Sequence, residues 1–167
     1  MAAELPIDRL KTASTWMWSQ GDYTAVALLL EPCAVKLADG SGITAGMTVL
    51  DVAAGNGNFA LAAATRGANV TACDLAPRMI ELGRARTEKT ERVIEWIRGD
   101  AEDLPFHDES YELVATVFGA MFAPRPDRVA CELFRVCRRG GRVVMASYSS
   151  EGFLSSMASR NSLRKFE

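Results

Sequence analysis

Three acidic residues, Asp51, Asp74 and Asp100, each close or follow a short apolar run, and a glycine turn lies between the first two. Asp51 interrupts Val49, Leu50 and Val52. Asp74 ends Asn69–Asp74 (NVTACD), and Asp100 follows the run Val93–Ile97. A carboxylate at the end of a buried strand is costly unless something polar or cationic meets it. Asp51, in the central run, therefore suggests a ligand at the mouth of a sheet. Gly55-Asn56-Gly57-Asn58-Phe59-Ala60 fits G-x-G-x-x-A, in which glycines let the backbone turn sharply and the following helix offers its N-terminus to a phosphate. Asp51, just ahead of that turn, repels a pyrophosphate and suits a cationic group. Asp74, roughly 20 residues on, stands where a carboxylate accepts hydrogen bonds from ribose hydroxyls, in a dinucleotide or in an adenosyl ligand alike, or else where it caps the helix starting near Pro77.

The elements that must carry these residues alternate strand and helix. Val49–Val52 reads as a parallel strand covered on both faces. Asn58–Arg66 (NFALAAATR) is a helix-forming run that Gly67 ends. Asn69–Asp74 is a second strand, and Pro77–Lys89 an amphipathic helix with Met79, Ile80 and Leu82 inward. Val93–Ile97 and Tyr111–Phe118 are further strands. Pro126–Arg138 is a helix, and Val143–Tyr148 a fifth strand. Such alternation predicts an α/β domain with a doubly wound parallel sheet. Ahead of it, Ile7–Trp18 and Ala25–Leu37 have helical patterns. Their Trp16, Trp18 and Tyr23 are candidates either to border a pocket or simply to pack a covering helix. At the carboxyl end of the fourth strand, Phe118, Met121 and Phe122 face the same alternative, since ligands bind outside those ends.

Asp51-Val52-Ala53-Ala54-Gly55-Asn56-Gly57 resembles the first motif, acid-x-G-x-G-x-G, of the class I S-adenosylmethionine-dependent methyltransferases, with Ala53 at the first glycine. Gly99-Asp100-Ala101-Glu102-Asp103-Leu104-Pro105-Phe106 resembles the family segment in which an acid after strand three meets the exocyclic amine of adenine and the next backbone amide meets the ring nitrogen. Arg135–Tyr148 (RVCRRGGRVVMASY) resembles the family's R-x-x-x-P-G-G turn into strand five, with Arg139 in place of the proline. The likeness spans Thr44–Tyr148 and is of the kind shared by ubiquinone and menaquinone C-methylating enzymes. It implies a Rossmann-like, mostly parallel sheet of order 3-2-1-4-5, S-adenosyl-L-methionine as cofactor and a small-molecule methyl acceptor. The cofactor contacts it implies are Asp51, Ala53, Gly55, Asn56, Gly57, Asp74, Leu75, Asp100, Ala101 and Phe118. No dedicated nucleophile or metal is expected, and a base, for which no residue stands out, is needed only if the acceptor must lose a proton. The divisions are residues 1–43 as a helical cap, 44–150 as the cofactor domain and 151–167 as a polar tail. That tail is too short for the family's last two strands, which leaves strand five as an open edge and a homodimer through it as a possible partner. Two other readings stay open: an NAD(P)-binding oxidoreductase domain, although no tyrosine is followed by a lysine four residues on, and a cofactor-binding protein without catalysis.

The 167 residues carry a formal net charge of −2, which leaves no basic footprint for nucleic acid. The cluster Arg135, Arg138, Arg139 and Arg142 falls at a helix end, where cations complement the macrodipole. Cys33, Cys73, Cys131 and Cys137 lack metal-site spacing and read as reduced core residues. The N-terminus shows no cationic-then-apolar leader and no run long enough to span a bilayer, so a cytoplasmic protein is expected. His107, the single histidine, sits among Asp108 and Glu109 in what reads as a surface turn.

Overall fold

A computed structural model describes residues 6–20, 23–90, 92–149 and 152–159. Strand β1 (Thr48–Val52) is the centre of the sheet, parallel to β2 (Asn69–Asp74) on one side and β4 (Tyr111–Val117) on the other. Outside these lie β3 (Ile94–Arg98) and β5 (Cys137–Ser149), both parallel, giving the order 3-2-1-4-5. The expected doubly wound sheet is thus present.

Alternation along β1 explains why both faces are covered. Val49 joins a core with Leu30, Ala34 and Leu37 of α2 (Tyr23–Gly40), Phe59 and Ala60 of α3 (Asn58–Thr65) and Ile80 of α4 (Pro77–Thr87). Leu50 and Val52 point the other way, to Val129, Leu133 and Val136 of α5 (Pro126–Val136). Successive side chains of a strand face opposite sides, so a single five-residue strand serves two cores. The alanines of α3 let that short helix lie close against the sheet, and Ala60 and Ala63 are fully buried. Helix α1 (Ile7–Trp18) differs in kind, since none of its residues is buried.

Two expectations are corrected. Strand five does not begin at Val143: β5 starts at Cys137, directly where α5 ends, and a register irregularity between Tyr111 and Leu113 of β4 absorbs the offset. Nor is β5 the open edge. β6 (Gly152–Ser159) pairs antiparallel with it from Arg142↔Ser159 to Ser149↔Gly152, inside the stretch read as a polar tail. Antiparallel pairing is made by backbone groups and needs no apolar pattern in the added strand. The outermost strand on that side is therefore β6, and the stated ground for a dimer through strand five no longer holds. The cysteines also separate: Cys73 and Cys137 are buried, Cys33 is half-buried and Cys131 is exposed. Among the described residues no helix is long and apolar enough to cross a membrane.

Candidate active site

The carboxyl ends of β1, β2 and β4 and the loop after β3 open into one cavity, about 930 Å³ with its open mouth included. Ala53 and Gly55 line it from β1, Asp74 and Leu75 from β2, Gly99, Asp100 and Ala101 from the loop after β3, and Phe118 and Gly119 from β4. Seven of the ten residues singled out from sequence thus share one space. Asp51, Asn56 and Gly57 do not line it.

Asp51 lies beneath the glycine turn instead of on the cavity wall, for a clear cause. The N-cap of α3 is Gly57, at φ 88° and without a side chain to cap with. Asp51, one strand layer beneath, supplies the missing acceptor: its Oδ2 takes the N–H of Ala60 at 3.0 Å. Capping carboxylates of this kind satisfy an otherwise orphaned helix donor. The residue is 1 % exposed. Burial pushes its carboxyl up to about 8, against the Ala60 hydrogen bond and with a push from Asp74 in the same direction. Asn56 is likewise turned away, accepting from Arg86, which also holds Asn58 and Glu31 and so ties α2 and α4 to the glycine turn.

Asp74 does face the cavity. Its Oδ2 accepts the N–H of Gly55 at 2.8 Å and its Oδ1 that of Ala76 at 2.9 Å. Burial raises its carboxyl to about 6, while the N–H groups of Ala76, Gly55 and Leu75 resist. With these three N–H groups on a carboxylate that has about four lone-pair positions, room for a hydroxyl is still left. One residue therefore shapes the turn and offers an acceptor to what lies above it.

The floor is strained. Ala53 and Phe118 both sit at positive φ, 54° and 59°, where non-glycine residues pay a steric cost. Gly119 lets the two strand ends meet: a Cβ there would stand 2.2 Å from the carbonyl oxygen of Ala53. Strain of this kind collects at ligand sites. Position 53, where the family motif carries its first glycine, has a left-handed backbone that explains the preference.

Aromatic side chains wall the remainder. Tyr23 stands over the turn, its hydroxyl 3.0 Å from where a Cβ on Gly55 would lie, and burial together with Asp74 and Asp51 raises its pKa. Its hydroxyl thus keeps its proton and can donate a hydrogen bond. Trp18 packs edge-on to Tyr23 and Phe122, and Phe118 lies 4.9 Å from Tyr148. Trp18, Tyr23, Phe118, Phe122 and Tyr148 all line the cavity, whereas Trp16 and Met121 do not. His107 is exposed and away from it. The four arginines of the basic cluster each hold a partner within the chain: Arg135 with Glu132 and Asp108, Arg138 with Glu112, Arg139 with Glu109, and Arg142 with the carbonyl of Gly42.

Sequence reasoning missed Lys11, whose Nζ reaches Asp100 at 2.5 Å and Glu102 at 2.6 Å. It also missed Ser14, Val26 and Leu30 as lining residues. An ion pair across 89 positions leaves no local signature, though a lysine on an otherwise mixed helix was visible.

A family model described as a methyltransferase domain matches residues 50–145. The chain belongs to the methyltransferase-domain family. An uncharacterised protein of Mycobacterium tuberculosis is 44% identical over 149 residues, covering 89% of this domain's chain and 54% of its own length. A demethylmenaquinone methyltransferase of Clavibacter sepedonicus is 42% identical over 106 residues, 64% of this chain and 43% of that protein. Among solved structures, a putative methyltransferase from Bacillus halodurans superposes with a TM-score of 0.65 at 32% identity, over 70% of this chain and 51% of that one. The methyltransferase chain therefore spans about half the length of the curated relatives it matches.

Proposed function

We propose that this methyltransferase domain binds S-adenosyl-L-methionine and transfers its methyl group to a small-molecule acceptor. The observation that carries the reading is the convergence on one cavity of three chemically different stations: the glycine turn with Ala53 and Gly55, the Asp74 carboxylate, and Asp100 with Ala101. They match the three parts of an adenosyl amino acid. Asp74 is set for the ribose hydroxyls. Asp100 beside Ala101 offers an acceptor next to a backbone N–H, the complement of an amine beside a ring nitrogen. Ala53 and Gly55, closed over by Tyr23, leave room for the amino-acid arm.

When bound, the cofactor supplies an electrophilic methyl and its own leaving group. The chain's work is then to orient, to bring near and to exclude water. Phe118, Phe122, Trp18 and Tyr148 furnish an apolar wall on the acceptor side, and Tyr23, held protonated, donates a hydrogen bond without removing a proton. Calorimetric titration with S-adenosylhomocysteine and with NAD tests the pocket; binding of the first and not the second is expected. Binding of NAD alone would overturn the reading. With cofactor bound, a methyl-release assay over a metabolite panel distinguishes a working enzyme from a binding domain.

A further inference from the structure

Helix α1 lies over the cavity without burying a single residue, so apolar burial does not explain its position. Its fastenings are the edge contacts of Trp18 with Tyr23 and Phe122 and, toward its start, the two ion pairs of Lys11. Glu102 is fully buried between opposite charges, meeting Lys11 on one side and Arg125 on the other. Arg125 contributes its Nε at 2.8 Å and its backbone N–H at 2.7 Å. Removing one member of so buried a pair leaves an uncompensated charge, which fixes where the Lys11 ammonium sits.

The consequence falls on Asp100. One of its oxygens is taken by Lys11 and the other by the N–H of Glu102 at 2.9 Å. A carboxylate has about four lone-pair positions, so about two remain on the same count. Asp100 and Lys11 both line the cavity, beside Ala101. Held at both oxygens, this carboxylate cannot rotate freely, and its remaining acceptors have a fixed direction.

We propose that Lys11 is a positioning residue for base recognition: through its ion pair it orients Asp100 to accept the exocyclic amine of a bound adenine, which makes α1 part of the nucleoside site. The inference rests on the adenosyl reading given above. Burial by itself would lower the pKa of Lys11, but the hydrogen bonds to Asp100 and Glu102 outweigh it and raise it, so the ammonium keeps its charge at any working pH.

The test compares S-adenosylhomocysteine with S-inosylhomocysteine, in which a carbonyl replaces the amine, by calorimetry on the full chain. The native protein is expected to prefer the adenine ligand strongly. Lys11→Met keeps the apolar stem and is expected to cut that preference about tenfold, the scale of a lost charge-assisted hydrogen bond, with the affinity for the inosine ligand little changed. Lys11→Arg restores most of the preference. Trp16→Ala, on the same helix but exposed and away from the cavity, leaves the ratio unaltered. Equal weakening of both ligands in Lys11→Met would mean that Lys11 only fastens the helix, and an unchanged ratio would mean that it does not act on Asp100; either overturns the proposal while the adenosyl reading stands. Failure of the native protein to bind S-adenosylhomocysteine would overturn the adenosyl reading itself, and this inference with it.

Discussion

Replacing Asp51 with asparagine is expected to flatten the pH dependence of stability. In the folded protein the carboxyl is raised from an ordinary 3.8 to about 8, with burial the largest cause. Between those values the native state keeps a proton that the unfolded chain has released. Stability from this group is therefore complete below about pH 4 and declines as pH rises toward 8, by about 1.4 kcal/mol per pH unit. Over pH 5 to 7.5 the loss is roughly 3 kcal/mol on the same slope. The asparagine side chain has no proton to lose, and its amide oxygen can still accept the N–H of Ala60. Urea unfolding at pH 5, 6, 7 and 8 measures the effect, provided the m-values agree. The native curve should fall across this range, partly through Asp74, whose raised value of about 6 adds its own decline at the lower end. The Asp51→Asn curve should gain on it by about 3 kcal/mol between pH 5 and 7.5. Below about pH 4.5 the order of effects reverses. Glu102 and Glu132 are held below the ordinary carboxylate range, in each case by hydrogen-bonded cations that outweigh burial, and their stabilisation is lost as pH falls. Native and variant curves running parallel from pH 5 to 8 would refute the placement of Asp51 as a buried, proton-holding cap.

Ala53→Gly is expected to raise stability by up to about 1 kcal/mol, since a left-handed alanine costs about 1–2 kcal/mol and the added chain entropy of glycine returns about half of that; urea midpoints at constant m-value check it. Gly119→Ala should destabilise by about 1–3 kcal/mol or more, because the new methyl meets the Ala53 carbonyl, a backbone atom that cannot swing aside; thermal unfolding reads the loss. Asp74→Ala should weaken S-adenosylhomocysteine binding by about ten- to a hundredfold, measured by calorimetry, while retained affinity would show that the ribose station lies elsewhere.

The parts of this fold legible in the sequence are those with a repeating local cause. Strands β1 and β2 are buried apolar runs, α4 has an amphipathic face, and the G-x-G turn announces itself by residue type. What escaped has a cause that sequence neighbours do not share. β5 continues through Arg138-Arg139-Gly140-Gly141, which looks like a turn, because Gly140 at φ 76° and the irregularity opposite Tyr111 let a strand pass through it. β6 hides in serines because its partner reads only its backbone. Asp51 illustrates the limit most clearly: that a carboxylate stands at the strand's end can be read from the chain, but whether it faces ligand or helix depends on which side of β1 the capless Gly57 lies.

That distinction changes the electrostatics of the site. Three carboxylates near the sheet mouth would suggest a strongly negative cavity made for a cationic guest. Asp51, however, does not line the cavity and burial pushes its carboxyl up, away from the charged form, and Asp100 is matched by Lys11 as Glu102 is by Arg125. Asp74 remains, and among the described residues it forms no ion pair. Its charge is stabilised by peptide N–H groups of the very turn that the ligand must approach. Fixed backbone dipoles of this sort need no reorganisation when a ligand arrives, whereas a flexible lysine would have to be displaced. Among the described residues the site is therefore better described as a largely apolar cavity with two oriented acceptors, Asp74 and Asp100, than as an anionic funnel, and its selectivity must come from the direction of hydrogen bonds and the shape of the aromatic wall more than from net charge.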